Sequence, residues 1–125
     1  MSVILLADDD KTLRDMYRIP LTRAGHVVHE AIDGLAVIEI VKTIHFDLIL
    51  LDIMMPKMNG LDVLKLLRSD DATKHVPIII LTALAQDLSQ TSASEIKADR
   101  YFSKADTTPN QLVQCVSELL AQKPN

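Results

Sequence analysis

The sequence predicts an α/β protein, a single doubly wound five-stranded parallel sheet with five helices. Two observations carry that expectation. Short apolar runs recur at Val3-Ile4-Leu5-Leu6-Ala7, Phe46-Asp47-Leu48-Ile49-Leu50-Leu51-Asp52, Pro77-Ile78-Ile79-Ile80-Leu81 and Tyr101-Phe102-Ser103. Runs that do not alternate with polar residues read as strands buried on both faces. Between them lie stretches whose apolar residues fall at helical spacing. Right-handed crossovers then place helices on both faces of a parallel sheet.

The first strand is expected over 3–8 and the first helix from about Lys11 to Ala24, with Leu13, Met16, Tyr17, Pro20, Leu21 and Ala24 as its apolar stripe. Asp10 suits its N-cap and Gly25 its C-cap. Pro20 removes a helical hydrogen bond and crowds the preceding turn, at roughly 3 kcal/mol, so a kink or a restart is expected there. The second strand spans 26–31. A second helix follows Asp33-Gly34 with Leu35, Ile38 and Val41 inward. The third strand, 47–52, leads to a helix that starts after Asn59-Gly60, turns Leu61, Leu64 and Leu67 inward and ends near Ser69.

The fourth strand, 77–82, precedes a poor helical stretch from Gln86 to Lys97. Ser89, Thr91, Ser92 and Ser94 compete with its backbone for hydrogen bonds, and only Leu88 and Ile96 are large apolar anchors, so it should be short or mobile. After the fifth strand, 100–103, Pro109 opens a last helix with Leu112, Val116, Leu119 and Leu120 inward. Residues 122–125 read as a tail or the start of a linker.

The 125 residues suit one domain, taken as 1–125. No apolar stretch approaches a bilayer crossing, and Met1-Ser2-Val3 lacks the basic start of a signal peptide. The single cysteine, Cys115, sits in the apolar pattern of the last helix, which reads as a buried thiol in a reducing compartment. The cytosol is the expected location, with no membrane partner. A net charge of −4 argues against a direct grip on nucleic acid.

Function is legible at the strand ends. Parallel strands deliver their carboxyl ends to one edge, where ligands bind. Here those ends carry Asp8-Asp9-Asp10, Asp52, Thr82 and Lys104. Carboxylates gathered in one crevice repel unless a cation joins them. Oxygen ligands favour Mg²⁺, with Mn²⁺ as the alternative, and the four histidines (26, 29, 45 and 75) lack zinc-ligand spacing. A carboxylate can also attack phosphorus, given donors for the equatorial oxygens. Lys104 offers a point charge, Thr82 a hydroxyl, and the backbone after Asp52 its amides. Taken singly each residue has a plainer role. A strand-end aspartate is most often a cap or turn former, which is how Asp10 is read. Thr82 alone suits a strand, Lys104 alone a solvated surface and Tyr101 half-buried packing. The joint placement favours a site.

These residues resemble the receiver domain of two-component response regulators, of the chemotaxis-receiver kind. An acidic pair follows the first strand (Asp8, Asp9), an aspartate ends the third (Asp52), a threonine the fourth (Thr82) and a lysine the fifth (Lys104). Asp52-Ile53-Met54-Met55-Pro56-Lys57-Met58-Asn59-Gly60 is similar to the family's D-x-x-M-P-x-M-x-G segment. The resemblance covers essentially the whole chain and implies a flavodoxin-like sheet of order 2-1-3-4-5. It also implies that Asp52 accepts phosphate from a histidine kinase or histidine phosphotransfer protein. Asp8, Asp9, Asp52 and the Met54 carbonyl would hold Mg²⁺, and Lys104 would pair with the phosphate. Thr82 and Tyr101 would be the switch residues, moving the face built by the 86–97 stretch, the fifth strand and the last helix. A chain of this kind is no ordinary enzyme. It catalyses its own phosphorylation and a slow dephosphorylation, and it acts on a downstream protein or fused output domain, with phosphorylation-dependent dimerisation a family expectation.

Some positions depart from the pattern. Ala105 follows Lys104 where the family usually has proline after a cis peptide; a cis bond before alanine costs roughly 2.5–4 kcal/mol, which favours a trans loop. Lys97 stands where a glycine often precedes the fifth strand. Leu84 and Met54, two residues past Thr82 and Asp52, are apolar and are expected to screen the phosphoryl group from water. Other readings fit less well. A flavin-phosphate site is excluded by repulsion from three aspartates, and a haloacid-dehalogenase-like phosphatase would need an acid where Met54 stands. The remaining alternative is a degenerate receiver acting as a phosphorylation-independent protein-interaction module, to which Ala105 and Lys97 give some weight.

Overall fold

A computed structural model describes residues 2–82, 98–104 and 107–122. In chain order these form β1 (Val3–Ala7), α1 (Lys11–Arg23), β2 (Val27–Ala31), α2 (Gly34–Ile40), β3 (Leu48–Asp52), α3 (Gly60–Ser69), β4 (Ile78–Thr82), β5 (Arg100–Ser103) and α4 (Pro109–Gln122). The five strands make one parallel sheet in the order β2-β1-β3-β4-β5, as anticipated. The stretch 86–97, expected as a further helix, lies outside the described residues, as do Leu84, Lys97, Ala105 and 123–125. Among the described residues no helix is long and apolar enough to cross a membrane.

The unbroken apolar strands are explained by two cores, one on each face. Ile4 and Leu6 of β1, Leu48 and Leu50 of β3, and Ile79 and Leu81 of β4 pack with Tyr17 and Leu21 of α1 and with Leu112, Cys115, Val116 and Leu119 of α4. The alternate residues Leu5 and Ala7, Ile49 and Leu51, and Ile78 and Ile80 pack with Val37 of α2 and Val63, Leu64 and Leu67 of α3. Each such leucine or isoleucine contributes on the order of 1.5–3 kcal/mol of burial. Period-two alternation thus divides every central strand between two cores, leaving no polar face for the sequence to mark. Only the edge strands carry polar residues in quantity, with His29 and Glu30 on β2 and Arg100 on β5.

Local signals start the helices where expected. The Asp10 carboxylate accepts from the amides of Thr12 and Leu13 at 2.9 and 3.3 Å. Asp33 accepts from Ala36 at 2.8 Å and Asn59 from Asp62 at 3.0 Å. Gly25, with φ +97, takes the left-handed step just past α1. The last helix opens at Pro109 and buries Cys115, whose thiol pKa is pushed up by that burial.

Three expectations are corrected. The helix does not restart at Pro20. That residue sits in the last turn of α1, where it forfeits one bond, and its carbonyl still accepts from Ala24 at 3.0 Å. Met16 and Ala24 do not join the buried stripe, which narrows to Tyr17 and Leu21 with Leu13 and Pro20 partly covered. Leu35 faces solvent, 46% exposed, because the buried side of the short α2 runs through Gly34 and Val37.

Candidate functional site

Four strands end at the same edge of the sheet, and the polar residues that terminate them meet there. Asp8 follows β1 directly, Asp52 closes β3, Thr82 closes β4 and Lys104 follows β5. Asp8, Asp52 and Thr82 are all buried. One carboxylate oxygen each from Asp8, Asp9 and Asp52 lies within 4.8 Å of the others. Lys104 Nζ donates to Asp8 Oδ2 at 2.8 Å and stands 3.3 Å from Asp52 Oδ2, so a single ammonium bridges two buried carboxylates. Asp8 Oδ1 accepts from the Asp10 amide at 3.0 Å, and Asp52 Oδ1 from the Met54 amide at 3.3 Å.

Burial dominates the electrostatics of Asp52. It drives the carboxyl pKa up from 3.8 to about 6; Lys104 opposes the rise and Asp8 adds to it. Burial also works against the Lys104 charge. Its hydrogen bond to Asp8 and the attraction of both carboxylates outweigh that and hold its pKa above the ordinary lysine value. At neutral pH the pocket is therefore an ionised Asp52 in a desolvated setting, held beside one fixed cation.

The segment after Asp52 folds back against its own strand. Gly60 donates to the Ile53 carbonyl at 2.8 Å, and a Cβ at Gly60 would land on the Asp52 carbonyl. Only glycine allows this approach. Lys57 takes a positive φ of 68 in the same loop, with its ammonium 3.6 Å from Asp33. Met54 rides on the outside, 69% exposed, and among the described hydrogen bonds none uses its carbonyl.

The residues expected to form the site are thus gathered as follows. Asp8, Asp9, Asp52 and Lys104 converge. Thr82 is buried at the adjoining strand end, paired in register with Ser103, and its carbonyl accepts from the Lys104 amide at 2.8 Å. Tyr101 lies 40% exposed on β5. Asp10 is a helix cap, as read from sequence. One contributor was missed: Arg14, whose Nη1 donates to the Asp8 carbonyl at 2.9 Å and whose Nε donates to Glu30 at 3.1 Å. The available signal was a basic residue at the margin of an otherwise apolar helical stripe, one turn after three acids.

The family model of the response regulator receiver domain matches residues 4–117. The chain belongs to this family. It is 40% identical over 104 residues to the transcriptional regulatory protein CpxR of Escherichia coli, covering 83% of this chain and 43% of that protein. It is 38% identical over 104 residues to the DNA-binding transcriptional regulator RpaA of Synechocystis, again covering 83% of this chain and 43% of the relative. The chain therefore spans under half the length of these curated relatives. Among solved structures it resembles the chemotaxis response regulator CheY4 of Vibrio cholerae (TM-score 0.87, 27% identity, 95% of this chain and 98% of that one). It also resembles the response regulator TrrA of Thermotoga maritima in complex with Mg²⁺ and beryllofluoride (TM-score 0.83, 30% identity, 95% and 99%). The fold of this chain is accordingly that of a response regulator receiver of two-component signalling.

The donor set suits a hard divalent cation. Three carboxylate oxygens converge, and no histidine or cysteine competes among the described residues.

Proposed function

We propose that this receiver is a phosphorylation switch in which Asp52 is the phosphoacceptor. The Asp52 carboxylate attacks the phosphorus of a phosphohistidine on a histidine kinase or phosphotransfer protein. A P–O bond forms, the P–N bond breaks, and the departing histidine nitrogen keeps the electron pair. The observation that carries this reading is the Lys104 ammonium between Asp8 and Asp52, at 2.8 and 3.3 Å. That cation lies where charge accumulates on the transferred group, and it can turn from the carboxylates to a phosphoryl oxygen without leaving the pocket.

Asp8, Asp9, Asp52 and the Met54 carbonyl are the residues that would hold Mg²⁺ or Mn²⁺. The bound ion would offset the negative charge that an incoming phosphoryl group adds to three acids. Thr82 supplies a hydroxyl donor from the end of β4. Its movement, with rotation of Tyr101, would report phosphorylation to the surface formed by β5, α4 and the stretch before β5. A downstream protein or fused output domain, or a second copy of the chain, would read that surface. The domain is taken to span 1–125. The phosphorylation-independent module is the weaker reading, because all five residues of the chemical pattern are present.

Intact-mass spectrometry after incubation with acetyl phosphate and Mg²⁺ tests the reading. A Mg²⁺-dependent gain of one phosphoryl group, absent from Asp52→Asn, is the expected result. A folded chain that gains none would favour the phosphorylation-independent module.

A further inference from the structure

Asp9 is the exposed member of the acidic trio, and among the described residues no hydrogen bond fixes its carboxylate. Its position is set by its backbone. The Asp8–Asp9 peptide is one rigid plane, so whatever holds the Asp8 oxygen orients the Asp9 Cα. That oxygen lies beyond the last rung of the β1–β3 ladder, which ends at Ala7↔Leu51, and Arg14 Nη1 donates to it at 2.9 Å. Arg14 is in turn braced. Its Nε donates to Glu30 Oε1 at 3.1 Å, its side chain is only 12% exposed, and Glu30 Oε2 faces Arg18 Nε at 3.8 Å. One guanidinium thus ties the end of β1, the first turns of α1 and the end of β2 together. A guanidinium does this with separate donors in a planar fork; a lysine ammonium is a single point on a flexible stem.

We propose that Arg14, braced by Glu30, is a positioning residue that locks the Asp8–Asp9 peptide and so sets where the Asp9 carboxylate meets a divalent cation. The inference rests on the metal-binding role given above. An orientation fixed beforehand leaves less ordering to be done when the ion arrives. Neighbouring Arg18 provides the contrast, since it also reaches Glu30 and bonds Asp15 at 2.9 Å but has no bond to the Asp8 carbonyl.

Calorimetric titration of Mg²⁺ into the whole chain tests this, using wild type, Arg14→Met, Arg14→Lys, Glu30→Gln and Arg18→Met. Loss of an outer partner of a metal ligand weakens affinity roughly 10–100-fold, so Arg14→Met is expected to lose about tenfold. Arg14→Lys keeps the charge and should still bind several-fold more weakly than wild type. Glu30→Gln should fall between, and Arg18→Met should match wild type. In the cation-free state the Asp9 amide resonance should shift in Arg14→Met and stay in place in Arg18→Met, a readout independent of any phosphorylation. Wild-type affinity in Arg14→Met, or full recovery in Arg14→Lys, overturns the positioning role and leaves the proposed function intact. A wild-type chain that binds no Mg²⁺ overturns both.

Discussion

Asp52 sits in the fold at an energetic cost, and that cost has a definite pH dependence. Its pKa rises from 3.8 to about 6, so the folded state prefers the neutral acid. Well below 3.8, at about pH 3, the group is protonated in both states and costs nothing. As pH rises toward 6 it ionises more readily in the unfolded chain, and folding stability falls; above 6 the full penalty applies. Asp52→Asn should therefore stabilise the metal-free chain at about pH 7.5, by on the order of 2 kcal/mol, with the gain vanishing near about pH 3. Urea unfolding in chelator at the two pH values measures this, and equal gains at both would contradict it. The same residues show what sequence could disclose. Asp8, Asp52, Thr82 and Lys104 were legible because each ends or follows an apolar run, and parallel topology does the rest. Arg14 was harder to read, because the partner that ties it to the site is a backbone carbonyl, which every residue carries.

At the scale of elements, the short connections do most of the placing. Asp10 caps α1 without joining the carboxylate cluster, so Asp10→Ala should cost about 1 kcal/mol of stability, with the proposed phosphorylation of Asp52 retained. Denaturant unfolding and intact-mass labelling check the two halves separately. Gly60 is less forgiving. A methyl group there meets the Asp52 carbonyl, and backbone cannot step aside as a side chain can. Gly60→Ala should cost about 1–3 kcal/mol and reduce Mg²⁺ affinity, because the strain falls on the peptide of Asp52 itself. A stable variant of normal affinity would show that the loop relaxes elsewhere. Element identity and caps were readable from runs, Asp10, Asp33 and Asn59. Which side of a helix is buried was less so: Met16 and Leu35 have apolar side chains, yet the packing of α1 and α2 leaves them in solvent.

Across the whole molecule, Arg68 joins parts far apart in sequence. From the end of α3 its Nη1 donates to the carbonyls of Lys74 and Val76 at 3.0 and 2.7 Å, and its Nη2 to Asp99 at 3.0 Å. The same Asp99 oxygen accepts from the Ile78 amide at 2.8 Å. This ties the entrances of β4 and β5 at the end of the sheet opposite the acidic pocket. Hydrogen bonds to charged groups contribute about 1.5–3 kcal/mol each, less where solvent reaches them, so Arg68→Ala should lower stability by at least about 2 kcal/mol. A midpoint of urea unfolding close to wild type would refute the estimate. The sequence held no hint of this staple, whose partners are 6, 8 and 31 positions away.

The bridge between Lys104 and Asp8 closes a separation of 96 residues. Its ends directly follow β1 and β5, and β5 has a single neighbour in the sheet, β4. Contacts of such span form late, since loop closure must precede any reward from them. During refolding the acids after β1 and in β3 should therefore come together before the ammonium that joins them arrives. The central sheet can thus assemble first, while the chemical pocket matures only with the docking of β5. Recovery of Mg²⁺ binding should then lag recovery of the buried core, making ligand competence a clock for the final folding step.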